Sequence, residues 1–372
     1  MTSAPSIDDL VAATPQTRDR SVDFLRAFSI VIVVLWHWVF SVTHWNADAA
    51  LTMPNPIGAV PFLWLVTWVL QIMPLFFFVG GFANLVGYRA ASRRPHGDRA
   101  FLAQRLQRLL RPLAVLVAVW TVFEIGAYLV VPGYTGVLHW GWVVAVPLWF
   151  MGVYTAVTVL VPLTARLHAR APGTTLTGLG AIVVLVDFIR FAGGVEVVGY
   201  ANLVFVFLFV HQIGYWFGDG TLTTSRRPAV LLALAGLGAL IALTTFGPYA
   251  HSMVAVEGGE ISNMMPPNAC IAALGVFQAG LALLLRPYLN RRLANPATWK
   301  IVIAVNAIAM TVFAWHMTAY VMAVGAWRVL GHTLLADATE AWWLQRPVWL
   351  LLPGVFLAVL VQIFRRFENK LG

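Results

Sequence analysis

The sequence predicts an all-α membrane protein, built as a polytopic bundle of about ten transmembrane helices with both termini in the cytoplasm. Of its 372 residues, 60% are hydrophobic and only 10% are charged, and the mean hydropathy is +0.80. These values lie outside the range of soluble domains. The apolar residues are also gathered into ten long runs, and each run can cross a ~30 Å hydrocarbon layer as a helix.

The ten predicted spans are bounded by charged residues or by proline and glycine turns. The fifth has the weakest apolar pattern. The spans cover approximately residues 22–44, 61–87, 112–131, 142–162, 176–192, 199–218, 229–247, 268–286, 300–326 and 346–364.

The basic residues determine the predicted orientation, because lysine and arginine close to span ends are retained on the cytoplasmic side. With the N-terminus inside, 21 of the 24 lysines and arginines fall in cytoplasmic segments, and only Arg190, Arg328 and Arg346 fall outside. The formal charge of +9 is therefore spread over successive loops, as this topology requires. This distribution argues against a nucleic-acid partner. We expect a multi-pass protein of the cell membrane, in contact with membrane lipids.

The ends of the chain add little to this organisation. Residues 1–17 have no basic segment leading into an apolar one, so they are not predicted to be a cleavable signal. We expect residues 1–20 to be a disordered cytoplasmic tail, 21–367 the ten-span transmembrane domain and 368–372 a short cytoplasmic tail. The single cysteine, Cys270, cannot form an intramolecular disulfide, and no Cys/His spacing is typical of a metal site.

The first predicted span carries two ionisable residues, Arg26 and His37, in the stretch RAFSIVIVVLWH. Eleven helical residues turn about 20° beyond three full turns, so both side chains lie on one helix face, about 16 Å apart along the axis. Arg26 is expected at the cytoplasmic rim, within reach of Asp23, and His37 near the middle of the bilayer. Ionisable groups at that depth are costly and are candidates for function, and imidazole exchanges protons near neutral pH. The alternative is that His37 only donates a hydrogen bond to a neighbouring helix.

Seven arginines occur between the second and third spans. Three of them, Arg105, Arg108 and Arg111, recur every third residue and therefore lie along one face of the helix that enters the third span. A row of guanidinium groups suits an anionic, multiply phosphorylated ligand. Retention on the cytoplasmic side and binding of anionic lipid head groups explain the same pattern.

The second span contains Pro74, which predicts a kink, and the pair Gly80 and Gly81, which lets a ligand or another backbone approach closely. Close packing between helices explains the glycine pair equally well. The other polar residues of the spans are compatible with a proton path or a substrate tunnel, and also with isolated interhelical hydrogen bonds. They include Glu124, Asp187, His211, Gln212, Asn306 and His316.

Taken in order along the chain, these motifs resemble acyltransferase family 3, a family of integral membrane proteins. DFLRAFSIVIVVLWH resembles the family's motif of arginine, ten residues and histidine in the first span. PLFFFVGGF is similar to its double-phenylalanine, serine-glycine motif, with Gly80 in place of the serine, and RLQR is similar to its Arg-x-x-Arg motif. LWFMGVY and FAWHM are similar to its patterns in the fourth and ninth spans. The sequence resembles the stand-alone type, so the extra hydrolase-like domain of some members is not expected.

The resemblance implies a membrane O-acyltransferase that moves an acyl group, commonly acetyl, from acyl-CoA to a hydroxyl of a glycan, a lipid or a secondary metabolite. Acyl-CoA is then the donor substrate, and no bound cofactor is expected. His37 is the expected general base, although a two-step route in which His37 itself carries the acyl group stays open. Asp23 is expected to orient Arg26. The expected substrate-binding residues are Asp23, Arg26, Gly80, Gly81, Arg105, Arg108 and His316.

Two other classes of protein stay open on the sequence alone. Proton-coupled transporters and exporters also bury His, Asp and Glu, but they are typically built from two related halves with paired broken helices. The sequence shows no such internal symmetry. The third class is a lipid-binding scaffold without turnover.

Overall fold

The computed structural model describes residues 6–137, 141–259 and 261–368. Within these ranges, ten helical stretches are long and apolar enough to cross a membrane. The structure thereby confirms the predicted all-α fold class and the predicted number of spans. The predicted tails begin and end outside the described residues, at positions 1–5 and 369–372.

Fifteen α-helices, numbered here in chain order, lie within the described ranges, with one two-stranded antiparallel sheet. The helices are α1 Ile7–Ala12, α2 Arg20–Val39, α3 Trp64–Leu70, α4 Met73–Ala91, α5 Gly97–Val130, α6 Leu148–Val159, α7 Val161–Arg170, α8 Pro172–Phe191, α9 Asn202–Gly218, α10 Arg227–Phe246, α11 Ala269–Arg292, α12 Pro296–Ala307, α13 Ala309–Val329, α14 Glu340–Leu344 and α15 Arg346–Phe364. The strands are β1 His44–Trp45 and β2 Leu51–Thr52, with His44 opposite Thr52 and Trp45 opposite Leu51.

Helix α2 shows why the bilayer decides local structure here. Its middle, Ile30–Val34, is a run of β-branched residues, which in a soluble protein would favour a strand. Inside hydrocarbon every backbone N–H and C=O must be satisfied within the segment, and only the helix does this for a single span. Asp23 in the first turn adds a favourable interaction with the helix dipole.

The chain divides into two compact units. The first comprises Met1–Ser29, Phe62–Ala103 and Val153–Asn306, and the second comprises Ile30–Pro61, Gln104–Gly152 and Ala307–Gly372. Helices α2, α5 and α6 each contribute residues to both units.

The core of the first unit depends on close approach between helix backbones. A Cβ atom on Gly81 of α4 would lie 2.1 Å from the carbonyl oxygen of His211 in α9, and one on Gly236 of α10 would lie 2.3 Å from the backbone nitrogen of Phe277 in α11. Small residues at such crossings allow van der Waals packing that larger side chains would prevent. Phe77 stacks on Phe207 in the same α4–α9 contact, with ring centroids 4.2 Å apart.

The core of the second unit is built mainly on α13 and α15. Trp315 stacks on Phe364 with ring centroids 3.9 Å apart, and Tyr320 contacts Trp349. Part of α2 joins this core through Val34 and Trp38.

Three predicted spans are interrupted within the described residues. The fourth breaks at Val146 and Pro147, between a 3₁₀ turn at Trp142–Ala145 and α6. The second breaks between α3 and α4 at Gln71 and Ile72, so Pro74 lies in the first turn of α4 instead of kinking a continuous helix. Proline is favoured at that position because its missing N–H would have no helical partner there. The ninth breaks at Ile308, between α12 and α13.

The N-terminal segment also differs from the expectation of disorder over residues 1–20. Residues 7–12 form α1, and Ser6 and Asp9 make a reciprocal capping box at its start. Asp19 lies 2.5 Å from the Arg286 guanidinium and accepts a hydrogen bond from Asn290. Burial raises the pKa of the Asp19 carboxyl, but these contacts and the Ser21 hydroxyl outweigh it and hold the pKa below its usual range.

Candidate active site

The second unit brings two intramembrane histidines together. His37 on α2 and His316 on α13 are 279 residues apart in sequence, yet His37 Nδ1 lies 3.0 Å from His316 Nε2. Their rings are stacked, with centroids 5.1 Å apart and planes inclined by 28°. We call these two residues the histidine pair.

The hydrogen bonds of the histidine pair determine which nitrogens carry protons when both rings are neutral. His316 Nδ1 lies 2.6 Å from the carbonyl oxygen of Phe313, and a carbonyl can only accept, so the proton of His316 is on Nδ1. Its Nε2 then accepts from the Nδ1–H of His37. The lone pair of His37 is consequently on Nε2. A ring in this state can take up a proton from a hydroxyl that reaches it.

Burial separates the roles of the two rings. His316 is fully buried, whereas His37 is half-buried. The buried ring of His316 is hydrogen-bonded to the more exposed ring of His37. The expectation that His316 binds substrate stays a prediction.

Neighbouring side chains fix the backbones that carry the histidine pair. The indole N–H of Trp38 donates to the main-chain carbonyl of His316 at 3.1 Å. One turn further along α13, the hydroxyls of Tyr320 and Thr43 lie 2.6 Å apart. His37 contacts His316, and the later residue Thr43 contacts the later residue Tyr320, so the two segments run in the same direction. The first and ninth spans of an alternating topology must do so.

A carboxylate caps the helix that carries His316. The break at Ile308 leaves the first N–H groups of α13 without a helical partner and without a side-chain cap from Ile308. Glu368 supplies the missing acceptors, taking hydrogen bonds from the backbone N–H of Met310 and of Thr311 and from the Thr311 hydroxyl at 2.6–3.1 Å. The start of α13, two turns before His316, is held in this way.

The other end of α2 is held by a buried cation, Arg346. Its guanidinium lies 3.6 Å from the centre of the Trp342 ring and donates to the Trp342 carbonyl at 3.0 Å. Longer contacts, of 3.4 and 3.5 Å, run to the carbonyls of Ser41 and Val39, where α2 ends. A cation here is favourable because the last carbonyls of a helix carry negative partial charge.

In the first unit, Arg26 is oriented by an amide. Its Nε donates to the side-chain oxygen of Asn306 at 2.7 Å, and Asn306 in turn donates to the main-chain carbonyl of Asp23 at 2.9 Å. The Asp23 carboxylate is 3.9 Å from Arg26 and forms its two short hydrogen bonds, of 2.7 and 3.0 Å, with Arg18. Asp23 thus lies within ion-pair distance of Arg26, and Asn306 is the nearer partner. The expectation that Asp23 orients Arg26 stays a prediction.

The remaining predicted residues lie in different surroundings. The α9 backbone occupies the space that a side chain at Gly81 would need, which favours the helix-packing interpretation for this position. Gly80 faces the Tyr154 side chain, whose ring edge would lie 3.1 Å from an added Cβ atom. Arg105 and Arg108 lie on α5 in the second unit, where Arg105 is half-buried and Arg108 is exposed.

Comparison with known proteins decides the family. The sequence model of acyltransferase family 3, described as an acyltransferase domain, matches residues 19–364, which is nearly the whole chain. The chain belongs to acyltransferase family 3. No curated protein and no solved structure gives a significant match to this acyltransferase.

The site of this acyltransferase contains residues whose roles the sequence did not indicate. Asn306 and His316 were visible as polar residues inside a span, but their pairing with Arg26 and His37 was not. Glu368 gave no signal, because a single carboxylate near the end of a chain is ordinarily solvated. In the acyltransferase it is buried.

Proposed function

We propose that this membrane acyltransferase moves an acyl group, commonly acetyl, from acyl-CoA to a hydroxyl of a glycan, a lipid or a small metabolite, with His37 as general base. The single observation that carries this proposal is the histidine pair. In this pair Nδ1 of the half-buried His37 donates to the buried His316, so the lone pair of His37 is on Nε2.

The proposed reaction uses His37 twice. Nε2 takes the proton of the acceptor hydroxyl while the hydroxyl oxygen attacks the thioester carbonyl carbon. The resulting tetrahedral intermediate collapses, the carbon–sulfur bond breaks, and the CoA thiolate receives the proton from Nε2. His316 accepts the Nδ1–H of His37 throughout and is a positioning residue.

We propose Arg26 as an anchor for the CoA phosphates, with Arg105 and Arg108 as further contributors. A guanidinium group can bind two phosphate oxygens at once. Asn306 accepts the hydrogen bond of Nε of Arg26 and so orients the guanidinium group. Arg26 lies eleven positions before His37 on α2, a rise of about 16 Å, which suits a donor whose thioester is at the end of a long flexible arm. The arginine distribution supports delivery of this donor from the cytoplasm.

The proposal is tested with membranes that contain the full-length chain, labelled acyl-CoA and a mixture of candidate hydroxyl acceptors. The expected result is release of free CoA that depends on acceptor and is lost in His37→Ala. Label retained covalently on the protein when acceptor is left out would replace direct attack by the two-step route.

The same membranes test the rival carrier. Proton-driven uptake into vesicles without acylation would overturn the proposal in favour of a transporter.

A further inference from the structure

A cavity of about 550 Å³ lies in the first unit, and none of the residues proposed for catalysis lines it. It is formed where α10 begins and where α11 approaches its end, together with the segment just before α10. All of its lining residues belong to the first unit.

The polar side of the cavity is cationic. Arg226, Arg286 and Arg291 line it, and no carboxylate is among its lining residues in the described part of the chain. Arg286 contacts Asp19, whereas Arg226 and Arg291 are exposed and form no ion pair within the described residues. The cavity therefore carries an excess of positive charge next to the N-terminus of α10, whose free N–H groups favour an anion.

The other side of the cavity is aliphatic. Leu222, Ala229, Leu283 and Leu284 line it. Neighbouring residues of the same helices, Leu231 on α10 and Leu285 on α11, are more than half exposed, as expected of side chains that face lipid. The two helices that line the cavity thus also carry exposed aliphatic side chains.

Pro287 adds a polar feature to this wall. It lies inside α11 and has no backbone N–H, so the carbonyl of Leu283 lacks its usual helical donor. Both residues line the cavity.

We propose that this cavity binds an anionic glycerophospholipid, with the phosphate at Arg226 and Arg291 and an acyl chain along Leu222 and Leu284. Basic pockets between transmembrane helices bind anionic lipid head groups because Coulomb attraction and chain burial act together. The mixed lining favours a lipid over a soluble phosphate compound. A free phosphate would use the arginines but would leave the aliphatic wall uncovered.

The test uses the purified full-length protein in detergent, with lipid binding measured by native mass spectrometry. Phosphatidylglycerol is compared with phosphatidylcholine of the same chains, and inorganic phosphate and free CoA are added as competitors. The double variant Arg226→Gln/Arg291→Gln should weaken phosphatidylglycerol binding roughly 30-fold, since each basic residue near an anionic lipid surface contributes about 5-fold. The matched control Arg365→Gln/Arg366→Gln removes the same charge from two exposed residues outside the cavity and should bind as the wild type does.

A second variant tests the aliphatic wall. Leu284→Trp fills part of the cavity but keeps the arginines. It should weaken phosphatidylglycerol binding, and the degree to which inorganic phosphate competes with the lipid should stay the same. Equal binding of the two lipids, or unchanged binding in Arg226→Gln/Arg291→Gln, would overturn the proposal. Displacement of the lipid by free CoA or inorganic phosphate at equal concentration would show a soluble phosphate site instead.

Discussion

His37 Nδ1 and His316 Nε2 lie 3.0 Å apart, and His316 Nδ1 is in turn held by the carbonyl of Phe313. This chain of two hydrogen bonds sets the tautomer of His37 from a residue that is itself fully buried. The arrangement resembles catalytic pairs of other enzymes, in which a second group orients a base and fixes its tautomer.

His316→Leu should lower kcat by roughly 100-fold or more and leave the KM for acyl-CoA nearly unchanged, because His37 loses the side-chain acceptor that orients its ring. His316→Gln should retain more activity, since its amide oxygen can accept from His37. Steady-state CoA release checks both variants. A rise in KM with unchanged kcat would mean that His316 binds the donor directly.

Asn306→Ala should raise the KM for acyl-CoA by roughly 10-fold, because a hydrogen bond to a charged group is worth about 1.5–3 kcal/mol and Arg26 loses its orientation. Arg26→Ala should raise it further. Asp23→Asn is the comparison, since Asp23 is hydrogen-bonded to Arg18 and lies 3.9 Å from Arg26. If Asp23→Asn raised KM more than Asn306→Ala, the assignment of Asn306 as the orienting residue would be wrong.

Gly81→Ala should destabilise the protein by about 1–3 kcal/mol or more, because its Cβ would lie 2.1 Å from the His211 carbonyl oxygen and would force α4 and α9 apart. Gly80→Ala should cost less, since its Cβ meets only the side chain of Tyr154, which can move. Thermal unfolding in detergent compares the two. Equal stability of both variants would contradict the packing described for Gly81.

Glu368→Ala should lower stability by about 1 kcal/mol, the usual effect of losing a helix cap, and should also lower kcat, because α13 carries His316. Glu368→Gln keeps one acceptor oxygen and should have a smaller effect. Asp337→Asn removes an exposed carboxylate of the same unit and serves as the control. Wild-type stability in Glu368→Ala would show that the cap contributes nothing in solution.

Local patterns predicted most of the fold. Apolar run lengths gave ten spans, and helical periodicity placed Arg26 and His37 on one helix, because both signals are contained within a single segment. The break at Ile308 was not predictable, since no proline or glycine marks it. The break is stabilised by a contact between distant segments, in which Glu368 accepts hydrogen bonds from the first turn of α13.

The partners of the candidate site residues were the part that the sequence could not supply. Nothing local in the first span indicates that His37 meets His316 or that Arg26 meets Asn306. Those pairings arise from which helices pack together, and many packings satisfy the same hydropathy pattern. Gly81 shows the converse case, since one local motif fitted both a ligand and a helix contact until the α9 backbone was placed against it.

Proton transfer from the acceptor hydroxyl to Nε2 of His37 is measured by single-turnover CoA release after acyl-CoA and acceptor are mixed. The wild type is compared with His37→Gln, because glutamine can still donate to His316 but has no basic nitrogen. We expect a rate at least 100-fold lower in His37→Gln, with unchanged affinity for acyl-CoA. A wild-type rate in His37→Gln would mean that His37 is not the general base.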